Sequence, residues 1–164
     1  MILQYFKRKE NKEKKIAQNL YKKILYLSNS IHKKNSLFKE FNYNSSFEIV
    51  SIILIIFIKL NIKFRIENYK IINEYLISTF ISDLDDSLRT KGIGDMSIGK
   101  YVKSYVKKFY YRLSRFPNNI EKIDYDAFLN YFNNFDIINN ERKEEASSEF
   151  LKVYNNIKLS YKSE

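Results

Sequence analysis

The stretch FEIVSIILIIFIKL, which runs from Phe47 to Leu60, decides how the rest of the chain folds. It carries ten consecutive uncharged residues between Glu48 and Lys59. A helix that spans a bilayer needs about 20 predominantly apolar residues, so this run is too short to cross a membrane. The sequence therefore predicts a helix that is buried on nearly all sides in a protein core. Ser45 or Ser46 is expected to cap its amino terminus, with Glu48 as the capping partner.

Apolar residues at helical spacing precede this stretch. They recur every three or four residues and predict an amphipathic helix from Tyr5 to Leu27. The repeating apolar positions are Ile16, Leu20, Ile24 and Leu27. Residues 1–14 are expected to form a basic extension whose first turns fray. A short helix is expected around residues 37–41.

Two longer apolar stripes follow the buried stretch. The first predicts a helix from about Glu67 to Lys91 and consists of Tyr69, Ile72, Leu76, Phe80, Leu84 and Leu88. The second predicts a helix from Met96 to Phe116 and consists of Ile98, Val102, Tyr105, Val106, Phe109, Leu113 and Phe116. Two further helices are expected around residues 120–133 and 141–161. Because no segment alternates with the period of a strand, the sequence predicts an all-α fold, a single compact domain of about six helices.

The composition places the chain among basic globular proteins. Its 164 residues suit one domain over residues 1–164, and 45% of them are hydrophobic, enough for a core. The net charge of +10 favours a polyanionic neighbour: nucleic acid, a ribosome or an anionic membrane surface. The chain has no cysteine, which excludes disulfides, thiolate metal sites and cysteine nucleophiles.

All three glycines lie within eight residues, between two predicted helices: Gly92, Gly94 and Gly99. Gly92 follows Lys91 where a left-handed residue ends a helix. Asp95 is expected to cap the next helix. The glycine spacing fits neither a P-loop nor a dinucleotide-binding motif, and no strand precedes it. The stretch is therefore predicted to be an interhelical turn rather than a nucleotide site.

The acidic cluster DLDD, residues 83–86, is interpreted as structural. Asp85 precedes Arg89 by four residues, an order that favours a helical ion pair, and the cluster lacks the loop ligands of a calcium site. With His32 as the one histidine, zinc catalysis and histidine-dependent triads lack parts. An enzyme using Asp85, Arg89 and Asp95 would need those side chains to converge in a pocket. We therefore expect no catalytic residue, metal, cofactor or small-molecule substrate.

The stretch YVKSYVKKFYYRLSRF, from Tyr101 to Phe116, interleaves aromatic and basic residues. Surfaces with this composition stack bases and neutralise phosphates in proteins that bind single-stranded RNA. The structural interpretation is that the inward aromatic residues are core and that the lysines form a solvated face. Tyr101, Tyr110 and Tyr111 lie off the apolar stripe, so they are the candidates for contact with a partner.

The stretch DLDDSLRTKGIGDMSIGKYVKSYVKKFYYR, from Asp83 to Arg112, resembles the signature of the ubiquinol–cytochrome c chaperone family. In that family an acidic helix end leads into leucine–arginine, then glycine, an aliphatic residue, glycine and aspartate, then glycine–lysine and an aromatic–tyrosine…arginine ending. The resemblance implies a client- or partner-binding role for the matching residues, which are Asp85, Leu88, Arg89, Gly92, Gly94, Asp95, Gly99, Lys100, Lys103, Phe109, Tyr110 and Arg112. Weaker similarity at Leu20 and Tyr21, and over the buried stretch, extends the resemblance to residues 20–116.

The chain departs from the family pattern in three places. NYNSS, residues 42–46, replaces an Asp–Thr–x–Gly–Arg-like approach to the buried helix. Ile53 stands where a histidine is common, and Tyr111 stands where a glycine separates the aromatic pair from the arginine. The residues of the glycine turn match.

The resemblance implies an all-helical, non-enzymatic assembly factor. Mitochondrial members bind newly made cytochrome b near the ribosome, with a small partner protein, and help to build respiratory complex III. Alphaproteobacteria carry short members, to which this chain is similar. The implied partners are cytochrome b or another respiratory-chain membrane subunit, and the ribosome. An anionic membrane surface is expected as a further partner because the chain is basic. The implied location is the cytoplasm, including the cytoplasmic face of the inner membrane.

The residues themselves leave an alternative open, a basic helical RNA- or ribosome-binding protein. We expect the glycines to let two helices meet at a sharp angle and to admit a client helix. An exposed apolar groove beside the glycine turn would favour a protein client. A continuous surface of tyrosines and lysines would favour RNA.

Overall fold

The computed structural model describes residues 2–162, with side chains described from residue 12 onwards. The fold is all-α and forms a single domain, as predicted. Six helices follow one another: α1 (Ile2–His32), α2 (Tyr43–Lys63), α3 (Tyr69–Thr90), α4 (Asp95–Arg115), α5 (Tyr125–Asn134) and α6 (Lys143–Lys162). Three single 3-10 turns join them: Asn35–Leu37, Ile120–Lys122 and Asn140–Arg142. The short helix expected around residues 37–41 is the first of these turns and ends earlier. The fraying of residues 1–14 stays a prediction.

Helix α2 lies at the centre of the domain, which confirms the prediction of a buried helix. Its residues from Ile49 to Ile58 are all buried except Val50, which is half-buried. Helices α1, α3, α4 and α6 pack around it. Among the described residues, α2 is the one helix whose length and composition would let it cross a membrane, and 78% of its most apolar window is buried inside the protein. Each buried side chain of this kind contributes about 1.5–3 kcal/mol. Among the described residues, α2 has more buried apolar side chains than any other helix, so it contributes more to stability than the others.

The amino terminus of α2 begins earlier than predicted. Asn42, and not Ser45 or Ser46, is the N-cap, and its side-chain oxygen accepts hydrogen bonds from the backbone N–H groups of Asn44 (2.8 Å) and Ser45 (3.3 Å). The backbone N–H of Asn42 donates in return to Ser45 Oγ (2.9 Å), which completes a capping box. The departure NYNSS therefore supplies a cap. The prediction was wrong because Asn42 satisfies the first N–H groups three residues earlier, which leaves Glu48 inside the helix.

A buried amide cluster ties together the far end of α2, α3 and α6. Asn61 donates to Asn73 Oδ1 (2.7 Å), and Asn73 donates to the carbonyl of Ile58 (3.3 Å). Tyr161 donates from α6 to Asn61 Oδ1 (2.6 Å). Because buried amides without partners destabilise a core, this cluster fixes how the three helices meet.

The predicted stripes of α3 and α4 face the core. Ile72, Leu76, Phe80, Leu84 and Leu88 are buried, and Tyr69 at the start of the stripe is half-buried. On α4 the buried members are Ile98, Phe109 and Phe116, and the remaining members are half-buried. Pairing of these two stripes aligns α3 and α4 and places the glycine turn at one corner of the domain.

Candidate functional site

The glycine turn joins α3 to α4 at an exposed corner. Gly92 has φ of 87°, which confirms the prediction of a left-handed residue after Lys91. The N–H of Gly92 donates to the carbonyl of Arg89 (2.8 Å), and the N–H of Ile93 donates to that of Leu88 (3.2 Å). These two bonds form the Schellman arrangement that ends a helix. Gly92 is therefore required by the backbone.

Arg89 joins the two helices across this turn. It donates from Nε to Asp85 Oδ2 on α3 (2.5 Å) and from Nη1 to Asp95 on α4. The predicted Asp85–Arg89 ion pair is thus present. Hydrogen bonds to Asp85 and then to Asp95 raise the pKa of Arg89 above its usual value. Asp95 is not the N-cap that was predicted: Gly94 occupies that position, and Asp95 lies in the first helical turn, where a carboxylate suits the helix dipole.

The backbone does not require glycine at position 94 or 99 in the way that it requires Gly92. A Cβ atom built on either residue meets nothing within 4 Å, and neither has a positive φ. Close packing within the protein is therefore not the reason for either glycine, because the space beside both is open. The sharp angle between the two helices and the admission of a client helix stay predictions. Gly99 lies inside helix α4, where glycine costs about 1 kcal/mol relative to alanine.

A basic face lies next to Gly99 on α4. Lys100, Lys103 and Lys107 are exposed and, with Gly99 and Ser104, line a shallow surface depression. We call these three lysines the lysine face. The depression beside the glycine turn is thus basic, and the apolar groove that would favour a protein client is not what lies there.

The tyrosines that were predicted to lie off the core do so. Tyr101, Tyr110 and Tyr111 are each about half-exposed. The Tyr111 ring contacts Phe135 edge-on, with the two centroids 6.1 Å apart. The guanidinium of Arg115 lies over the Tyr111 ring at 5.4 Å from its centroid. A tyrosine where the family has glycine therefore packs on the surface without disturbing α4.

Three candidate residues are part of the core instead of the surface. Leu88 and Phe109 are buried, and the Phe109 ring packs against Phe80 with centroids 5.2 Å apart. Arg112 was among the residues expected to bind a client or partner, but it is only 8% exposed and forms a two-pronged ion pair with Glu48. These three residues therefore support the exposed candidate residues of α3 and α4 from within the core.

Glu48 is the residue whose role the sequence analysis missed. Its carboxylate is fully buried and accepts from Arg112 Nε (2.9 Å) and Nη2 (2.7 Å) and from Lys108 Nζ (2.8 Å). The Arg112 guanidinium also stacks over the Phe135 ring, 3.7 Å from its centroid. A single carboxylate beside a ten-residue uncharged run was the available signal, because a buried charge needs an opposite charge.

A cleft of about 370 Å³ opens above this buried pair. The N-terminal turn of α2 and α4 supply one side, with Asn42, Lys108 and Arg112. Lys39 and Asp136 supply another side and are paired with each other, which lowers the pKa of Asp136. The cationic groups of this cleft are thus matched by carboxylates.

The three residues of the enzymatic alternative do converge, but on the open surface. The Asp95 side chain is 87% exposed and that of Arg89 is 44% exposed, so water reaches the whole group. These side chains therefore lack the enclosed pocket that the enzymatic alternative needs. Within the described residues, no three histidine, aspartate or glutamate side chains are placed to hold a metal ion.

Comparison with known proteins bears on the same region. The family model described as ubiquinol-cytochrome C chaperone matches residues 40–130, which is more than half of the chain and includes the whole glycine turn. The match begins and ends later than the predicted span of residues 20–116. No curated protein sequence matches the chain.

A solved structure resembles the whole domain. The crystal structure of the Cbp3 homolog from Brucella abortus superposes with a TM-score of 0.68, at 19% sequence identity, over 96% of this chain and 88% of that one. This likeness shows that the two proteins share a fold. Taken with the family model, which spans the buried helix, the glycine turn and α4, it leads to one conclusion: the chain belongs to the ubiquinol–cytochrome c chaperone family.

Proposed function

We propose that this protein is a non-enzymatic assembly chaperone that binds newly made cytochrome b and assists the assembly of respiratory complex III. Membership of the ubiquinol–cytochrome c chaperone family supports an assembly role for this complex. The solvated surroundings of Asp85, Arg89 and Asp95 argue for a binding surface rather than a catalytic one. The corner between α3 and α4 is where we place the client.

Gly99 is the single observation that carries this placement. It lies in the interior of α4, has open space where a side chain would be, and weakens the helix by about 1 kcal/mol relative to alanine. Nothing within the described part of the chain makes use of the missing side chain. A partner that approaches the α4 backbone does make use of it, because glycine lets two helices come closer together.

The exposed candidate residues are suited to such a contact. Gly99, Lys103 and Tyr110 are separated by four and seven residues, so they share one face of α4. Arg89 at the end of α3 and Asp95 at the start of α4 pair with each other at the corner beside this face. We propose that a hydrophobic segment of cytochrome b packs along this face by close backbone approach, without an apolar groove.

A crosslinking pull-down tests the proposal, from the native organism or from a reconstituted translation system. The wild-type chain is compared with the double variant Arg89→Ala, Asp95→Ala. The matched control is Arg142→Ala, Glu145→Ala, which removes another exposed ion pair, of 2.7 Å, near the start of α6. We expect the wild type and the control to recover cytochrome b and the corner variant to lose it. Equal recovery by all three would refute the placement of the client.

The alternative is a basic helical protein that binds RNA or the ribosome, and the lysine face is the observation that favours it. Under that alternative the pull-down recovers rRNA or ribosomal proteins alone. Recovery would fall as the salt concentration rises, since release of counterions drives such binding, and the corner variant would recover as much as the wild type.

For the chaperone we propose a location in the cytoplasm and on the cytoplasmic face of the inner membrane, where a membrane subunit is inserted.

A further inference from the structure

The lysine face differs from Arg89 and Lys108 in having no counter-charge. Among the described residues, no carboxylate lies within ion-pair distance of Lys100, Lys103 or Lys107. Arg89 and Lys108, at the corner and on the inner side of α4, each contact one. Helix α4 contains no acidic residue after its first turn, so beyond that turn its exposed side carries only positive charges.

The geometry of α4 places the three lysines in one row. Their spacing of three and four residues puts them on one face of the helix, over about 10 Å along its axis. Like charges at this spacing destabilise a helix by a few tenths of a kcal/mol per pair. A row of mutually repelling cations that nothing in the described fold neutralises is suited to an external anionic surface.

We propose that the lysine face docks the protein on the anionic phospholipid headgroups of a membrane. The three lysines lie along one exposed face of a single helix, and this face can lie on a plane of charge. Met96 lies on the same side of α4, two turns before Lys103, and is fully exposed. It is a flexible apolar side chain that can reach below the headgroups. This inference rests on the charges of α4 and does not require that cytochrome b be the client. Because Lys103 belongs both to the lysine face and to the face proposed for the client, α4 docks on a membrane and packs against a client at different times.

The surroundings of the lysine face favour lipid over RNA. Proteins that bind single-stranded nucleic acid offer open aromatic faces on which bases stack. Here Arg115 lies over the Tyr111 ring, and the Tyr110 ring is held edge-on against Phe109 with centroids 5.5 Å apart. The cations of the lysine face are lysines, which act as point charges, and not arginines, which recognise phosphate through two directed hydrogen bonds. A diffuse field of headgroup charge requires no such direction.

Vesicle co-sedimentation with the full chain tests the proposal. The vesicles contain equal parts of phosphatidylglycerol and phosphatidylcholine, and vesicles of phosphatidylcholine alone provide the neutral reference. The lysine-face variant is Lys100→Gln, Lys103→Gln, Lys107→Gln. The control variant is Lys14→Gln, Lys15→Gln, Lys22→Gln, which removes three exposed lysines of α1 that have no ion pair among the described residues. Both variants have the same net charge, and circular dichroism establishes that both keep their helices.

The expected result is binding to the anionic vesicles that the lysine-face variant loses. A lysine near an anionic surface contributes about a fivefold gain in affinity, so the three together account for roughly a hundredfold. The control variant should lose far less. Equal losses in the two variants would mean diffuse attraction by net charge and would overturn the proposal. The proposal would also be overturned if the wild type did not bind the anionic vesicles. It would be overturned as well if the lysine-face variant no longer bound an RNA oligonucleotide but still bound the vesicles.

Discussion

Replacing Gly99 by alanine gives opposite expectations for stability and for client binding. A Cβ atom added at this position has open space around it, and the backbone is helical, so alanine fits without strain. Alanine favours a helix interior by about 0.5–1 kcal/mol over glycine. For a domain of this size the change raises the midpoint of thermal unfolding by about 1–4 °C. Circular dichroism melts and urea titrations of the two proteins measure this gain.

The same substitution should weaken recovery of the client in the crosslinking assay, because the added methyl group separates α4 from a partner packed on it. Gly92→Ala is the matched comparison: its φ of 87° makes alanine strained there, and we expect a loss of about 1–2 kcal/mol. A Gly99→Ala variant that is less stable than the wild type would show that the glycine has a structural role. A more stable variant with unchanged client recovery would show that Gly99 has no part in binding.

Three further predictions concern the charged groups. Glu48→Gln leaves Arg112 buried without its counter-charge and should lower the free energy of unfolding in urea by about 3–5 kcal/mol. The double variant Glu48→Leu, Arg112→Met should recover most of this stability. A Glu48→Gln protein as stable as the wild type would contradict this prediction. Arg89→Ala should leave the thermal midpoint unchanged, because its ion pairs are exposed, and a clear drop in a melt would show that the corner depends on them. Burial lowers the pKa of His32, so the unfolded chain takes up its proton first and stability should fall as pH decreases below about 6.5. Urea midpoints at several pH values should lose this slope in His32→Gln, and an unchanged slope would assign it to other groups.

Most of the fold was predictable because the apolar residues that repeat at helical spacing are also the residues that the fold buries. The stripes of α3 and α4 follow from spacing alone, and the structure buries or half-buries every member. The ends of the helices were less predictable. Asn42 caps α2 through local hydrogen bonds in which Ser45 also takes part, and a sequence with several polar residues in a row offers more than one such solution.

The candidate site was only partly predictable for a different reason. Gly92 and the Asp85–Arg89 pair depend on neighbours within a few residues, so spacing indicates them. Arg112 lies at the edge of the basic side of α4, and whether it points to solvent or inward depends on Glu48, 64 residues away. A long-range partner of this kind leaves no trace in helical periodicity. The openness beside Gly99 likewise depends on which elements do not pack there.

The burial of α2 depends on helices that are synthesised after it. Of the four helices that cover α2, α1 precedes it in the chain and α3, α4 and α6 are made later. While α2 emerges from the ribosome, it therefore presents to the cell an apolar segment much like those of membrane proteins. At that stage α2 either packs against its neighbouring helices or is bound by the machinery that inserts membrane proteins. Because α6 is made after α3 and α4, α2 is fully covered only once α6 has been made.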